Sequence, residues 1–225
     1  MNERSHVFRF IQNLLIKKGF ILSFTMKVLD RKRSVEVYSG MDYFRISSFE
    51  LAANEIYVNN VKGNVCELGV YKGDSAQYIN AFFPDRILYL FDTFEGFDVK
   101  DTDIDLQKNY STERIDFSDT SVDLVLKKMK YPENCLVKKG YFPKTTVDLE
   151  DEFAFVSIDA DLFQPVYEGL KYFFPRLSKG GYIFIHDFNN RNYLGAKEAV
   201  KKYCKENDLS YFPLCDSCGS VVINK

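Results

Sequence analysis

No run of 18 apolar residues occurs in this 225-residue chain, so no segment reads as a membrane-spanning helix. Internal repeats and low-complexity tracts are lacking too. So is a charge excess: the net of −2 gives the whole molecule no nucleic-acid or polyanion signature. There is no secretory apolar region with a small-residue cleavage site. Together with an odd count of five cysteines, this makes a reducing cytoplasm the expected setting. The spacing Cys215-Asp-Ser-Cys218 suits zinc or redox chemistry, but a structural zinc wants four ligands and no second pair exists. The pair sits beside Gly219 between YFPLC and SVVIN, where a hairpin turn falls, and turn residues are the preferred reading. Neither G-x-G-x-x-G nor a P-loop is present, and histidine occurs only twice.

What is present supports a large core. Hydrophobic residues make up 46% of the chain, with 21 Phe and 15 Tyr, which suits one large domain with a small appendage. Charge is unevenly spread. Residues 1–33 carry a net +6, which leaves −8 on the other 192 residues. Within that basic stretch, 7–29 reads as an amphipathic helix. It is expected to dock on its own domain or on a second copy, and an anionic membrane surface is the weaker alternative. Residues 1–42 are expected to form a helical extension or lid, and 43–225 the main domain. YFRISSFELAANEIYVN (43–59) reads as the helix leading into the core.

From residue 64 strands and helices alternate. NVCELGV, RILYLFD, CLVKKGYF, FAFVSID and GGYIFIHDF read as strands. GDSAQYINAFF, SVDLVLKKMK, VYEGLKYFFPRL and GAKEAVKKYCKEN read as helices between and after them. TFEGFDVKDTDIDLQKNY reads as a long acidic loop, and YFPLC with SVVIN as a terminal antiparallel hairpin. The pattern predicts an α/β doubly wound sheet, mostly parallel, in which ligands bind at the carboxyl ends of the strands.

Those ends carry chemistry. Glu67-Leu-Gly69-Val-Tyr-Lys-Gly73-Asp-Ser75 offers a tight turn and a helix amino end. Asp92 ends the second strand, 25 residues beyond Glu67, where an acid suits a ribose diol. The apolar strand FAFVSI runs into Asp159 and Asp161, and the fifth strand into His186-Asp187. Alone, the two acids read as a strand end before a helix, and His186 as an edge histidine. On neighbouring strands about 4.8 Å apart, they also read as ligands for Mg²⁺ or Mn²⁺. His186 tilts the choice toward Mn²⁺ or another transition ion.

Glu67-Leu-Gly-Val-Tyr-Lys-Gly73, Phe91-Asp-Thr-Phe-Glu-Gly-Phe97, Lys139-Gly-Tyr-Phe142, Ile158-Asp-Ala-Asp-Leu-Phe163 and Gly180-Gly-Tyr-Ile-Phe-Ile-His-Asp-Phe188 resemble the macrocin O-methyltransferase family. The likeness runs from about residue 43 to 223. It implies a class I methyltransferase (Rossmann-like) fold, S-adenosylmethionine (SAM) as donor, and metal-dependent O-methylation of a sugar hydroxyl. Carried over, Glu67, Gly69, Tyr71, Gly73 and Ser75 hold the methionine end of SAM. Asp92 takes the ribose, and Thr93 and Phe94 lie beside the adenosine. Asp159 falls on a metal-binding and catalytic acid and Asp187 on a metal ligand. The family pattern often has two acids where this chain has His186-Asp187, so His186 is expected as a ligand from its place at the strand exit and not from the likeness.

A sugar hydroxyl is too weakly acidic to attack a sulfonium unaided, so a base is needed. Asp159 is the first choice and Asp161 the reserve. Two alternatives stand beside this reading: a nucleotide-sugar glycosyltransferase using D-x-D, and a non-catalytic SAM-binding subunit. The expected partner is a sugar-containing natural product or saccharide, and the expected assembly a homo-oligomer.

Overall fold

The strands of this protein are apolar on both faces, which is what a sheet covered by helices on each side demands. The structure, a computed structural model, describes residues 40–112 and 116–225 together with Leu14, Leu15, Lys18, Val35 and Val37. The helix expected over 7–29, with its docking, membrane and oligomer roles, falls outside these residues, as does nearly all of the extension 1–42. Ser34–Lys225 form one compact unit.

Five strands run parallel: β1 (Asn64–Leu68), β2 (Leu88–Asp92), β3 (Cys135–Lys139), β4 (Phe153–Ile158) and β5 (Leu177–Ile185). The short β6 (Phe212–Pro213) and β7 (Val221–Asn224) close the sheet as the expected antiparallel hairpin, in the order β3-β2-β1-β4-β5-β7-β6. Cys215 and Cys218 lie exposed and unbridged in that hairpin's turn, where Cys218 and Gly219 take positive φ.

Alternation along the strands sorts side chains into two cores. Tyr89, Phe91, Phe153, Val156 and Ile158 pack with α5 (Phe163–Arg176) and α6 (Gly195–Glu206) on one face. Val65, Leu88, Leu90 and Phe155 pack on the other face with α1 (Tyr43–Val58), α2 (Ala76–Phe82) and α4 (Val122–Leu126). Helix α1 starts where Asp42 accepts the backbone N–H groups of Phe44 and Arg45, a cap worth about 1 kcal/mol. It then buries Ile46, Phe49, Ala53 and Ile56 at helical spacing, which brings Arg45 into its first turn on the buried side.

One expectation is corrected. The acidic stretch read as a loop contains α3 (Val99–Gln107). Its composition hides it, because Asp and Thr favour caps and turns and no apolar stripe marks the face that docks. Carboxylates do the docking instead. Asp101 accepts the Tyr141 hydroxyl at 3.0 Å. Asp105, fully buried, accepts the Phe163 N–H with both oxygens at 3.3 and 3.2 Å, capping α5, whose own N-cap residue Leu162 makes no side-chain bond. Gly195 completes the fit: a Cβ there would lie 2.2 Å from Asp105 Oδ2.

Burial, opposed by that N–H bond, pushes the Asp105 carboxyl up to about 6. The folded chain therefore holds this proton more tightly than the unfolded chain. The stability it contributes is full below about pH 4 and is lost as pH rises through about 6. Asp105→Asn keeps the shape and cannot ionise. Its stability relative to wild type is expected to rise by about 2 kcal/mol between pH 4 and 7, measured by urea denaturation. A difference that stays flat across that window would show that Asp105 ionises freely in place.

Candidate active site

The backbone ladder continues past the strand ends and sets the site. Gly69 N–H donates to Phe91 O at 2.9 Å, Asp159 N–H to Leu68 O at 2.8 Å, and His186 N–H to Ile158 O at 2.9 Å. The exits of β2, β1, β4 and β5 thus stand side by side, across the point where chain order reverses between β1 and β4. A cavity of about 350 Å³ opens there.

Glu67, Gly69, Tyr71, Ser75, Asp92, Thr93, Asp159, Asp161, His186 and Asp187 all line it. Two of the expected site residues do not. Phe94 is buried in the core on the α1 side, and Gly73 is a turn residue (φ +76) whose N–H donates to Val70 O. Gly69 has a reason other than ligand approach. At φ +85, a Cβ would sit 2.0 Å from the carbonyl oxygen of Asp159, so any side chain there would push the β1 and β4 exits apart.

Asp92 is more heavily engaged than a free ribose acceptor would be. Its Oδ2 accepts the N–H groups of Val70 and Tyr71 at 2.7 and 2.8 Å, and its Oδ1 that of Phe94 at 2.7 Å. It fastens the glycine turn to β2. Oδ1 also takes the Thr93 hydroxyl at 3.5 Å, a contact too long to hold that oxygen strongly. Glu67 stands nearby with a different deficit: it is 1% exposed, Ser157 reaches Oε1 at 3.5 Å, and Oε2 has no partner. Burial pushes its carboxyl well up, with Arg45 opposing.

At the β4 and β5 exits, His186 Nδ1 lies 3.0 Å from Asp159 Oδ1 and 2.8 Å from Asp187 Oδ2. Ligand atoms of these three residues fall within 4.8 Å of one another. Asp161 and Asp187 take the left-handed backbone conformation (φ 53 and 59), which aspartate tolerates better than most residues and which recurs at functional sites.

Sequence reasoning missed Arg45. Its guanidinium donates to Asp159 Oδ2 at 2.9 Å, with the side chain only 8% exposed, and it also lies near Glu67 and Asp187. Burial alone would raise the Asp159 carboxyl, but Arg45 and then His186 reverse this and hold it well below the usual carboxylate range. Burial also opposes charge on His186, yet Asp159 and Asp187 outweigh it and raise the imidazole to about 10. Asp161 is pushed well up by burial, then by Asp187 and Asp159, with His186 opposing. The one sequence signal for Arg45 was a charged residue at the head of a helix whose following turns bury their apolar positions.

Lys72, Phe97, Asp101, Phe117 and Tyr141 also line the cavity and had been given no role, although Lys72, Phe97 and Tyr141 stand in the quoted motifs. Phe117 packs edge-on against both Tyr71 and Phe97, with ring centres 5.0 Å apart in each pair. These residues come from segments far apart in the chain, and no local pattern links them.

Known proteins place the chain in a family and share its fold. Residues 29–216 match the macrocin-O-methyltransferase (TylF) family. The demethyldecarbamoylnovobiocin O-methyltransferase of Streptomyces niveus is 23% identical, over 74% of this chain and 67% of that protein. Two solved structures share the fold. The O-methyltransferase NovP superposes with a TM-score of 0.66 at 20% identity, over 80% of this chain and 79% of its own. The calicheamicin methyltransferase CalS11 gives 0.64 at 18%, over 80% and 78%. The class I methyltransferase sheet expected from the sequence is present, and the glycosyltransferase alternative falls. No helix among the described residues is long and apolar enough to cross a membrane. With its glycine turn, acidic strand exits and family match all in place, this chain belongs to the macrocin-O-methyltransferase family and is a SAM-dependent O-methyltransferase.

Proposed function

We propose that this enzyme methylates a sugar hydroxyl with the help of a divalent cation held by Asp159, His186 and Asp187. The observation that carries the reading is the convergence of those three ligand atoms beside the glycine turn, in the same cavity as Glu67 and Asp92. The names of two relatives support a sugar acceptor. One CalS11 structure is described as a TDP-rhamnose 3′-O-methyltransferase, and the Streptomyces niveus relative acts on demethyldecarbamoylnovobiocin.

The residues fit both groups. The unpartnered Oε2 of Glu67 is a buried acceptor suited to the ammonium of the donor's methionine end, and Asp92 Oδ1 retains room for one ribose hydroxyl. Bound SAM supplies a methyl group on a positively charged sulfur, an electrophile that needs only an aligned oxygen. A divalent cation, where bound, lowers the pKa of a coordinated hydroxyl.

The chain's own residues do the rest. Glu67 and Asp92 orient the donor across the β1 and β2 exits. Arg45, permanently charged and bonded to Oδ2, keeps Asp159 ionised while His186 serves the cation, so the carboxylate can receive the proton that a cation-bound hydroxyl sheds. The acceptor oxygen forms the new C–O bond as the C–S bond breaks, its proton passes to Asp159, and a neutral thioether leaves. The packed rings of Phe97, Phe117 and Tyr71 form an apolar part of the lining that limits water.

A mass-spectrometric screen of sugar acceptors with SAM tests this. Methyl transfer is expected with Mg²⁺ or Mn²⁺ present, silence in excess chelator, and recovery when the ion is returned. Heat protection by SAM is expected in either condition, because its contacts come from the first two exits. Full activity in chelator would remove the cation from the mechanism, and transfer to phenolic but never to sugar acceptors would remove the sugar.

A further inference from the structure

We infer that the Asp159, His186 and Asp187 site selects a first-row transition dication over Mg²⁺. The inference rests on the metal-assisted reading above and adds the class of ion. Two independent features carry it.

The first is the donor set. His186 presents Nδ1 between two carboxylate oxygens, 3.0 Å from Asp159 Oδ1 and 2.8 Å from Asp187 Oδ2. A cation that displaces the proton on Nδ1 meets one imidazole nitrogen and two oxygens within 4.8 Å of one another. Mg²⁺ is small and hard, sheds water reluctantly, and is held through carboxylate and phosphate oxygens. Imidazole nitrogen is a donor for transition ions, and a mixed set of imidazole and carboxylate is the kind that iron(II)-type sites use.

The second is charge. Arg45 already occupies Asp159 Oδ2 at 2.9 Å, and its guanidinium is buried and permanently ionised. Asp159, Asp187 and Arg45 together carry one net negative charge. An ion bound by anionic oxygen alone gains little from such a set. A transition ion adds a bond to His186 that does not depend on that charge. Both features follow from positions 45 and 186 of this chain, and either one replaced by an acid or a neutral residue would move the site toward Mg²⁺.

Calorimetry with Mn²⁺ and with Mg²⁺, on the full chain without acceptor, reads the selectivity. Because nearly any site prefers Mn²⁺ to Mg²⁺ to some degree, the comparison that matters is with His186→Asp. The Mn²⁺-to-Mg²⁺ affinity ratio is expected to fall by about 10–100-fold in that variant, the range for disturbing one group of a metal site. Pulsed electron paramagnetic resonance of the Mn²⁺ complex gives a second readout. Nitrogen-14 modulation is expected in the wild type and lost in His186→Asp. If the variant fails to fold, the wild-type modulation decides by itself. Mn²⁺ bound without nitrogen modulation, no binding of either ion, or a ratio unchanged by the substitution overturns the inference. Absence of methyl transfer to every sugar acceptor with either ion is a different failure, which overturns the proposed reaction and leaves a measured selectivity standing.

Discussion

Asp159→Asn is expected to lower methyl transfer about 10²-fold or more while SAM binds as before, the low end for losing a positioned base. Asn keeps the shape and one oxygen. It loses the charge that Arg45 and His186 both face, at 2.9 and 3.0 Å. Proton acceptance and cation binding should fall together, because one carboxylate serves both. The contacts proposed for the donor are Glu67 and Asp92, on strands β1 and β2, so affinity for SAM should hold. Calorimetry with SAM and a single-turnover methyl-transfer assay separate the two effects. An Asp159→Asn protein with full activity would reduce the D-A-D stretch to a strand end. Loss of SAM binding in the same variant would mean that the donor reaches the β4 exit instead.

Arg45→Met is expected to destabilise the fold by about 3 kcal/mol at neutral pH, the cost of leaving one half of a buried ion pair behind. Asp159 is 23% exposed, so the low end of the range applies, while Arg45 at 8% has little water to lose. The variant also strips Glu67 and Asp187 of the permanent cation they lie near. The double variant Arg45→Met, Asp159→Asn should be more stable than the sum of the single effects allows, since Asn needs no counter-charge. Urea denaturation of all four proteins gives the coupling. Additive effects would show that Arg45 matters for packing on Phe49, whose ring it overlies at 5.4 Å, and not for the charge on Asp159.

The architecture was legible because its signals are local. FAFVSI and RILYLFD announce buried strands by composition, and the carboxylates at 92, 159 and 187 stand out because they follow such runs directly. Helix α3 was not legible, since Asp101 and Asp105 dock by accepting hydrogen bonds from Tyr141 and Phe163, 40 and 58 residues away. Asp92 was legible as an acid at a strand exit but not as the clamp on Val70 and Tyr71, which depends on how closely β1 and β2 leave the sheet.

By itself the sequence determined the alternation of strands and helices, the acidic strand exits and the family likeness. Each rests on residue type and short-range spacing, which backbone geometry converts directly into structure. Only the tertiary fold decided that Arg45 faces Asp159 across 114 residues, that Gly69 must be bare because the Asp159 carbonyl touches it, and that Phe94 belongs to the core and not to the cavity. Those facts depend on which exits become neighbours in the sheet. Pair energies between distant charges and contacts leave no periodic trace in the chain, so packing had to declare them.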